Sequence, residues 1–231
     1  VVGIRDVTEP RRVDDVRRDF VANVSHELRT PIGALAVLAE TMADETDLAV
    51  MRQFAERITR EAERLARIVE DLLDLSQLEA DPNAGRELVD VRSMLNAALE
   101  QIAGAAEAAH IEIRVEDIDP RLELRADRRQ IVSAIFNLLD NAVKYSEPGS
   151  SVDVDVEVGE RSVAIMVRDR GVGIPTRDLE RIFERFYRVD RARSRETGGT
   201  GLGLSIVRHV AQAHGGEVSV VSHEGEGSAF T

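Results

Sequence analysis

The sequence predicts an α+β chain in which a helical hairpin precedes a mixed layer of helices and strands. Three observations predict it. Over residues 13–78 apolar side chains recur at helical spacing, and Gly33 is the only glycine. Breakers then cluster in Ala80-Asp81-Pro82-Asn83-Ala84-Gly85. Beyond them, strands with two-residue alternation interleave with helical stripes.

Residues 1–12 are too few for a domain and read as the tail of an upstream region. Val13, Val16, Phe20, Val24, Leu28, Leu35, Leu38 and Met42 mark a first helical stripe. Met51, Phe54, Ile58, Leu65, Ile68, Leu72 and Leu75 mark a second, and the polar turn Asp44-Glu45-Thr46-Asp47 separates the two. Such a hairpin covers its apolar faces poorly alone. A symmetric dimer through residues 13–80, forming a four-helix bundle, completes it; packing on another domain of the same chain is the alternative. Residues 81–90 read as a linker, and residues 91–231 as one further domain. Within that domain, helices are expected over 91–110, 127–145 and 201–214. Strands are expected over 111–115, 152–158, 163–169 and 217–221, with largely antiparallel connections. In the second strand Val152, Val154, Val156 and Val158 share one face, opposite Asp153, Asp155 and Glu157.

Bulk properties exclude several function classes. The net charge of −13 and 3% aromatic content argue against a nucleic-acid-binding surface. No apolar run approaches the ~20 residues of a bilayer span, and no signal peptide is visible, so the chain reads as soluble without membrane contact. The absence of cysteine suits a reducing cytoplasm. Ending in Gly227-Ser228-Ala229-Phe230-Thr231, the chain reads as slightly short of its last strand.

Chemistry concentrates in a few segments. In Phe20-Val21-Ala22-Asn23-Val24-Ser25-His26-Glu27-Leu28-Arg29-Thr30-Pro31, His26 and Thr30 share a helix face with Glu27 about 100° away. Pro31 lacks an N–H and crowds the Glu27 carbonyl, so a kink is expected there. A neutral imidazole is a nucleophile, and an adjacent carboxylate can hold its tautomer and take its proton. A lone surface histidine on a bundle helix is the plain alternative.

Asn137, Asn141 and Lys144 fall within an arc of about 60° on one helix, opposite the apolar Ile131, Ile135, Leu138, Leu139 and Ala142. Two amide oxygens suit Mg²⁺ and an ammonium suits phosphate. Asp169 shares the parity of Val163, Ile165 and Val167, so its carboxylate points to the buried side of a strand end. A buried carboxylate needs a donor, which an adenine amino group supplies. Gly171 and Gly173 then allow a tight turn and close approach of a ligand. Gly198-Gly199-Thr200-Gly201-Leu202-Gly203-Leu204 runs into a helix, whose N-terminal N–H groups suit phosphate. Arg185, Arg188, Arg191, Arg193 and Arg195 precede it as a local cationic cluster, expected to form a mobile lid. His110, His209, His214 and His223 read as structural.

In this order the segments resemble the catalytic part of two-component sensor histidine kinases over nearly the whole chain. His26-Glu27-Leu28-Arg29-Thr30-Pro31 is similar to the phosphoacceptor box of their HisKA-type dimerisation and histidine-phosphotransfer domain. The N box of a GHKL-type ATP-binding α/β sandwich is matched by residues 137–145, and the first glycine box by residues 169–173. Phe183-Glu184-Arg185-Phe186-Tyr187-Arg188 is similar to the F box and residues 199–203 to the second glycine box. The wording is closest to actinobacterial kinases of the phosphate-responsive type, and Val7-Thr8-Glu9-Pro10-Arg11-Arg12 resembles the exit of a PAS sensor domain.

The resemblance implies a protein-histidine kinase that uses ATP and Mg²⁺ and serves as the cytoplasmic portion of a membrane-anchored bacterial sensor. His26 would accept the γ-phosphoryl, with Glu27 orienting it and taking its proton. Asn137 and Asn141 would hold Mg²⁺; Lys144, Arg185 and Arg188 would meet phosphate. Asp169 would read adenine with Tyr145 against the base, and Gly171, Gly173, Gly199, Thr200, Gly201, Leu202 and Gly203 would line the nucleotide. The phosphoryl group would pass to an aspartate of a response-regulator receiver domain, and Thr30 would assist removal of phosphate from that partner. Rival users of the same ATP fold, an ATP-gated clamp or a serine-directed anti-sigma kinase, lack the histidine helix. A dimerising scaffold without catalysis is a third class.

Overall fold

A computed structural model describes residues 8–80, 85–160, 162–189 and 199–231. Residues 1–7, read as part of an upstream tail, lie outside the described residues, as do residues 81–84 of the expected linker and Arg191, Arg193 and Arg195. The chain divides into two compact units, residues 1–70 and 71–231.

The first unit holds helix α1 (Thr8–Ala43) and most of α2 (Leu48–Ala80). Helix α1 therefore starts before residue 13, and it continues through Pro31, which lies buried inside it. The turn between the helices is held by its own acids. Glu45 Oε1 accepts the N–H groups of Thr46 and Asp47 at 2.8 and 2.9 Å. Asp47 Oδ1 accepts Ala49 N–H at 2.7 Å, capping α2 and satisfying an orphan donor of its first turn. Where its side chains are described, the expected stripe is half-buried at Leu28, Leu35, Leu38 and Met42 on α1 and at Met51, Phe54, Ile58 and Leu65 on α2, while Ile68 is fully buried. Ile32 and Val37 stay 53% and 61% exposed.

The second unit is a helical layer on a mixed sheet. Its helices are α3 (Val91–Ala109), α4 (Arg128–Tyr145) and α5 (Gly203–Ala213). Strands β2 (Glu112–Val115), β4 (Ser151–Val158), β5 (Val163–Arg168), β6 (Val220–His223) and β7 (Gly227–Phe230) form a five-stranded sheet in the order β2-β4-β5-β7-β6. Short strands β1 (Glu87–Asp90) and β3 (Glu123–Ala126) pair antiparallel as a separate ribbon. Residues 87–90, read as linker, are thus part of this unit: Leu88 and Val89 stand side by side between Glu87 and Asp90, in a strand too short to stand out. β2 runs parallel to β4 and the remaining pairs are antiparallel, in keeping with largely antiparallel connections.

Apolar faces of α3, α4 and α5 close over the sheet in one core. Met94, Leu95 and Ile102 meet Ile135, Leu138 and Leu139, then Ile206 and Val210, above Val152, Val154, Val167 and Phe230. The expected parity of β4 holds at Val152 and Val154, but Val158 at the strand end is 64% exposed because the helical layer no longer covers it. Asp90 and Asp127 cap α3 and α4 by accepting N–H groups two residues on, at 3.0 Å each. His214 ends α5 and ties it to α4. Asp127 N–H donates to its Nε2 at 3.1 Å, so the ring proton sits on Nδ1 and goes to Val210 O at 2.9 Å.

Helix α3 ends on His110 in the left-handed conformation, φ 57°, with Ile111 N–H returning to Ala106 O at 2.9 Å. This is the position where glycine avoids the Cβ clash. The His110 side chain is exposed. His110→Gly is expected to stabilise the fold by about 1 kcal/mol, read as a raised urea midpoint with an unchanged slope.

Candidate functional site

Helix α4 presents the polar face expected of it. Asn137 Nδ2 donates to Ser133 O at 2.9 Å, which turns Oδ1 away from the helix and leaves it to accept. Asn141 is half-buried, and its amide makes no hydrogen bond among the described residues. Lys144 departs from expectation. Its ammonium is ion-paired with Asp140 four residues earlier, on the same helix face. Asp140 supplies a nearer, covalently tethered anion, so phosphate must compete with it for Lys144.

Both glycine segments come to this face. A Cβ built on Gly203, the first residue of α5, would lie 2.4 Å from Asn137 Oδ1. One built on Gly171 would lie 2.2 Å from Tyr145 O, the carbonyl that accepts Val172 N–H at 3.2 Å. Asn137 and Tyr145 are about 12 Å apart along the helix. A phosphate-seeking helix N-terminus and a strand-end turn therefore bracket one helix face, separated by roughly the length of a nucleotide.

Asp169 sits beside the second of these contacts, 6% exposed. Its Oδ1 accepts Gly171 N–H at 2.8 Å and Ser228 N–H at 3.2 Å, while Oδ2 takes neither bond. Burial pushes the carboxyl above its ordinary range, and the two backbone donors oppose that shift. The result is a costly buried acceptor with one oxygen left for a ligand's donor. Gly173 adopts φ 67° where its backbone runs against His223 O, so the turn admits no side chain.

Between the glycine boxes, residues 178–188 are held at several points. Tyr187 Oη donates to Asp178 Oδ1 at 2.7 Å, and the Arg181 guanidinium lies 4.2 Å from the Tyr187 ring centroid. Phe186 is left-handed at φ 63°, held by its N–H on Gly201 O at 2.8 Å. An aromatic residue rarely takes that backbone, so the contact with Gly201 is what sustains it. Arg188 Nη2 donates to Gly199 O. Thr200 Oγ1 accepts Leu202 N–H at 3.2 Å and donates to Asp71 of the same unit at 2.7 Å. Leu202 is fully buried beneath the box, and Arg185 is half-buried.

In the first unit His26 is exposed on α1, and Thr30 Oγ1 donates to the His26 carbonyl at 3.2 Å. The Thr30 proton is therefore committed to the backbone, leaving lone pairs outward. The Glu27 side chain lies outside the described residues. Sequence reading missed Ser228 as a partner of Asp169, and Ser222 behind it. The motif Ser222-His223-Glu224-Gly225-Glu226-Gly227-Ser228, with serines bracketing two glycines, carried that signal.

The family described as "Histidine kinase-, DNA gyrase B-, and HSP90-like ATPase" matches residues 126–231, and "His Kinase A (phospho-acceptor) domain" matches residues 16–81. The sensor-like histidine kinase SenX3 of Mycobacterium tuberculosis is 45% identical over the whole chain, which spans 57% of that relative's length. The solved mycobacterial sensor histidine kinase MprB is 31% identical, with 63% of this chain and 93% of that one covered at TM-score 0.54. The Acinetobacter baumannii histidine kinase AdeS is 27% identical, with 89% and 94% covered at TM-score 0.68.

Proposed function

Since the chain belongs to the sensor histidine kinases, we propose that it autophosphorylates His26 from ATP and passes the phosphoryl group to an aspartate of a response-regulator receiver domain. The observation that carries this reading is the meeting of both glycine segments on one face of α4, at Asn137 and at Tyr145. Adenine would lie at Asp169, with its amino group donating to Oδ2, and Tyr145 would flank the base. The N-terminus of α5 and residues 199–203 would take phosphate, joined by Arg185 and Arg188 from the segment before them.

The donor set fits a magnesium ion. Asn137 Oδ1 is turned outward by the bond to Ser133, and Asn141 is unengaged, giving neutral oxygen ligands of the kind Mg²⁺ accepts beside phosphates. When bound, the ion would neutralise charge developing on the phosphates. Lys144 would exchange Asp140 for a phosphate oxygen.

In the transfer, the His26 Nε2 lone pair attacks the γ-phosphorus. The N–P bond forms as the bond to the bridging oxygen breaks, and ADP leaves with that electron pair. Glu27 would take the Nδ1 proton from the resulting imidazolium. Thr30, with its lone pairs outward, would position water for removal of phosphate from the partner. The half-buried stripes of α1 and α2, with Ile32 and Val37 exposed, support a homodimer through residues 13–80. Among the described residues no helix is long and apolar enough to cross a membrane. Anchorage of the whole protein, with this part in the cytoplasm, rests on kinship.

After incubation with ATP and Mg²⁺, intact-mass measurement is expected to show one added phosphoryl group per chain. His26→Gln should show none while retaining nucleotide binding. A modified His26→Gln protein would sink the assignment of the acceptor.

A further inference from the structure

Helix α4 carries a single acid, Asp140, and the fold sets it on the helix's polar face. At 100° per residue the order around the axis is Asp140, Lys144, Asn137, Asn141, all within an arc of about 100°. Asp140 Oδ2 holds the Lys144 ammonium, and the two side chains are 23% and 22% exposed. Partial burial keeps this pair from the full screening that an exposed one would meet.

The helix has little need of the pair for its own stability. Asp127 already caps its first turn, and its apolar face is packed in the core, so one i,i+4 contact adds little. Nor does the cation's identity suit a permanent tie. Lys144 is the only lysine among the 30 Lys and Arg residues. An ammonium is a compact point charge on a flexible stem and exchanges partners, whereas an arginine fork would grip the carboxylate bidentately.

We infer that Asp140 makes the site select the metal-bound nucleotide over the metal-free one. This inference rests on the reading of Asn137 and Asn141 as magnesium ligands and of Lys144 as a phosphate contact. Phosphate gains Lys144 only by breaking the ion pair, which leaves the Asp140 carboxylate unpaired on the same helix face. For a metal-free triphosphate that carboxylate is an uncompensated like charge. For the magnesium-bound nucleotide, part of the phosphate charge is cancelled, and the released carboxylate has a divalent cation on its own helix face. Asp140 therefore penalises the first ligand far more than the second, and the selectivity comes from repulsion of the wrong one.

The test is calorimetric titration of the 231-residue chain with ATP in magnesium and with ATP in excess EDTA, alongside thermal unfolding. Asp140→Asn is expected to raise the metal-free affinity about tenfold and to change the magnesium-bound affinity less than about threefold. Asp140→Glu, which keeps the charge, should keep the wild-type preference for the magnesium-bound form. A purely structural pair would move both affinities together. A folded Asp140→Asn protein whose metal-free affinity does not rise, or whose two affinities rise by the same factor, would overturn the inference. If Asp140→Asn does not fold, Asp140→Ser removes the same charge and is read by the same criteria. A wild-type chain that binds ATP equally with and without magnesium would instead indict the assignment of Asn137 and Asn141, and the inference would fall with it.

Discussion

Asp169→Asn is expected to cost about a hundredfold in ATP affinity while leaving the fold intact. The amide oxygen can still accept from Gly171 and Ser228, whose N–H groups hold Oδ1 in the wild type. The amide nitrogen must then occupy the Oδ2 position, where it sets donor against the adenine amino donor. Stability moves the other way. Burial raises the Asp169 carboxyl above its ordinary range. The folded state therefore binds the proton more tightly than the unfolded one, and that advantage is complete below the ordinary aspartate value. It is lost as pH rises through the raised value, and above it the ionised carboxylate destabilises the fold. Asparagine removes that cost, so the variant should gain stability at neutral pH and lose the gain in acid. ATP affinity of the wild type should fall on acidification at a higher pH than an exposed aspartate would dictate. The variant's residual affinity should lack that dependence. Titrations and urea melts across pH read both effects.

Gly171→Ala should damage fold and site together. The added methyl carbon would lie 2.2 Å from Tyr145 O and 3.0 Å from Asp169 Oδ1. The obstacle is a backbone carbonyl already engaged by Val172 N–H, so it cannot move without breaking the turn. Overpacking of this kind costs about 1–3 kcal/mol, and here relief must displace the carboxylate as well. The expected result is a lowered urea midpoint with ATP binding below detection. Gly203→Ala offers the contrast, because its methyl would meet the movable end of the Asn137 amide. There the fold should hold and magnesium-dependent binding should weaken. A Gly171→Ala protein with wild-type binding would contradict the packing of the two glycine segments on α4.

How much of this was legible depended on the length and regularity of each signal. Helix α4 could be read because its apolar and amide faces each repeat over several turns. Strand β4 could be read because four valines alternate with acids. Strands β1 and β3 were missed because four residues with two charges apiece carry too little alternation. Strand β7, Gly-Ser-Ala-Phe, lacks β-branched residues, and its pairing comes from register with β6. Among site residues, Asp169 was legible from strand parity, whereas its bond to Ser228 depends on a partner 59 positions away. Asp140 stood four residues before Lys144 in plain view; what decides between an internal carboxylate and an external phosphate is competition, which spacing does not express.

His26 as the phosphoryl acceptor is the proposal on which the function turns. The direct measurement is incubation with γ-labelled ATP and Mg²⁺, followed by treatment of the denatured protein with acid and with base. A phosphoryl group on imidazole nitrogen predicts label lost in acid, retained in base and absent from His26→Gln. Label that survives acid, or that persists in His26→Gln, would contradict it.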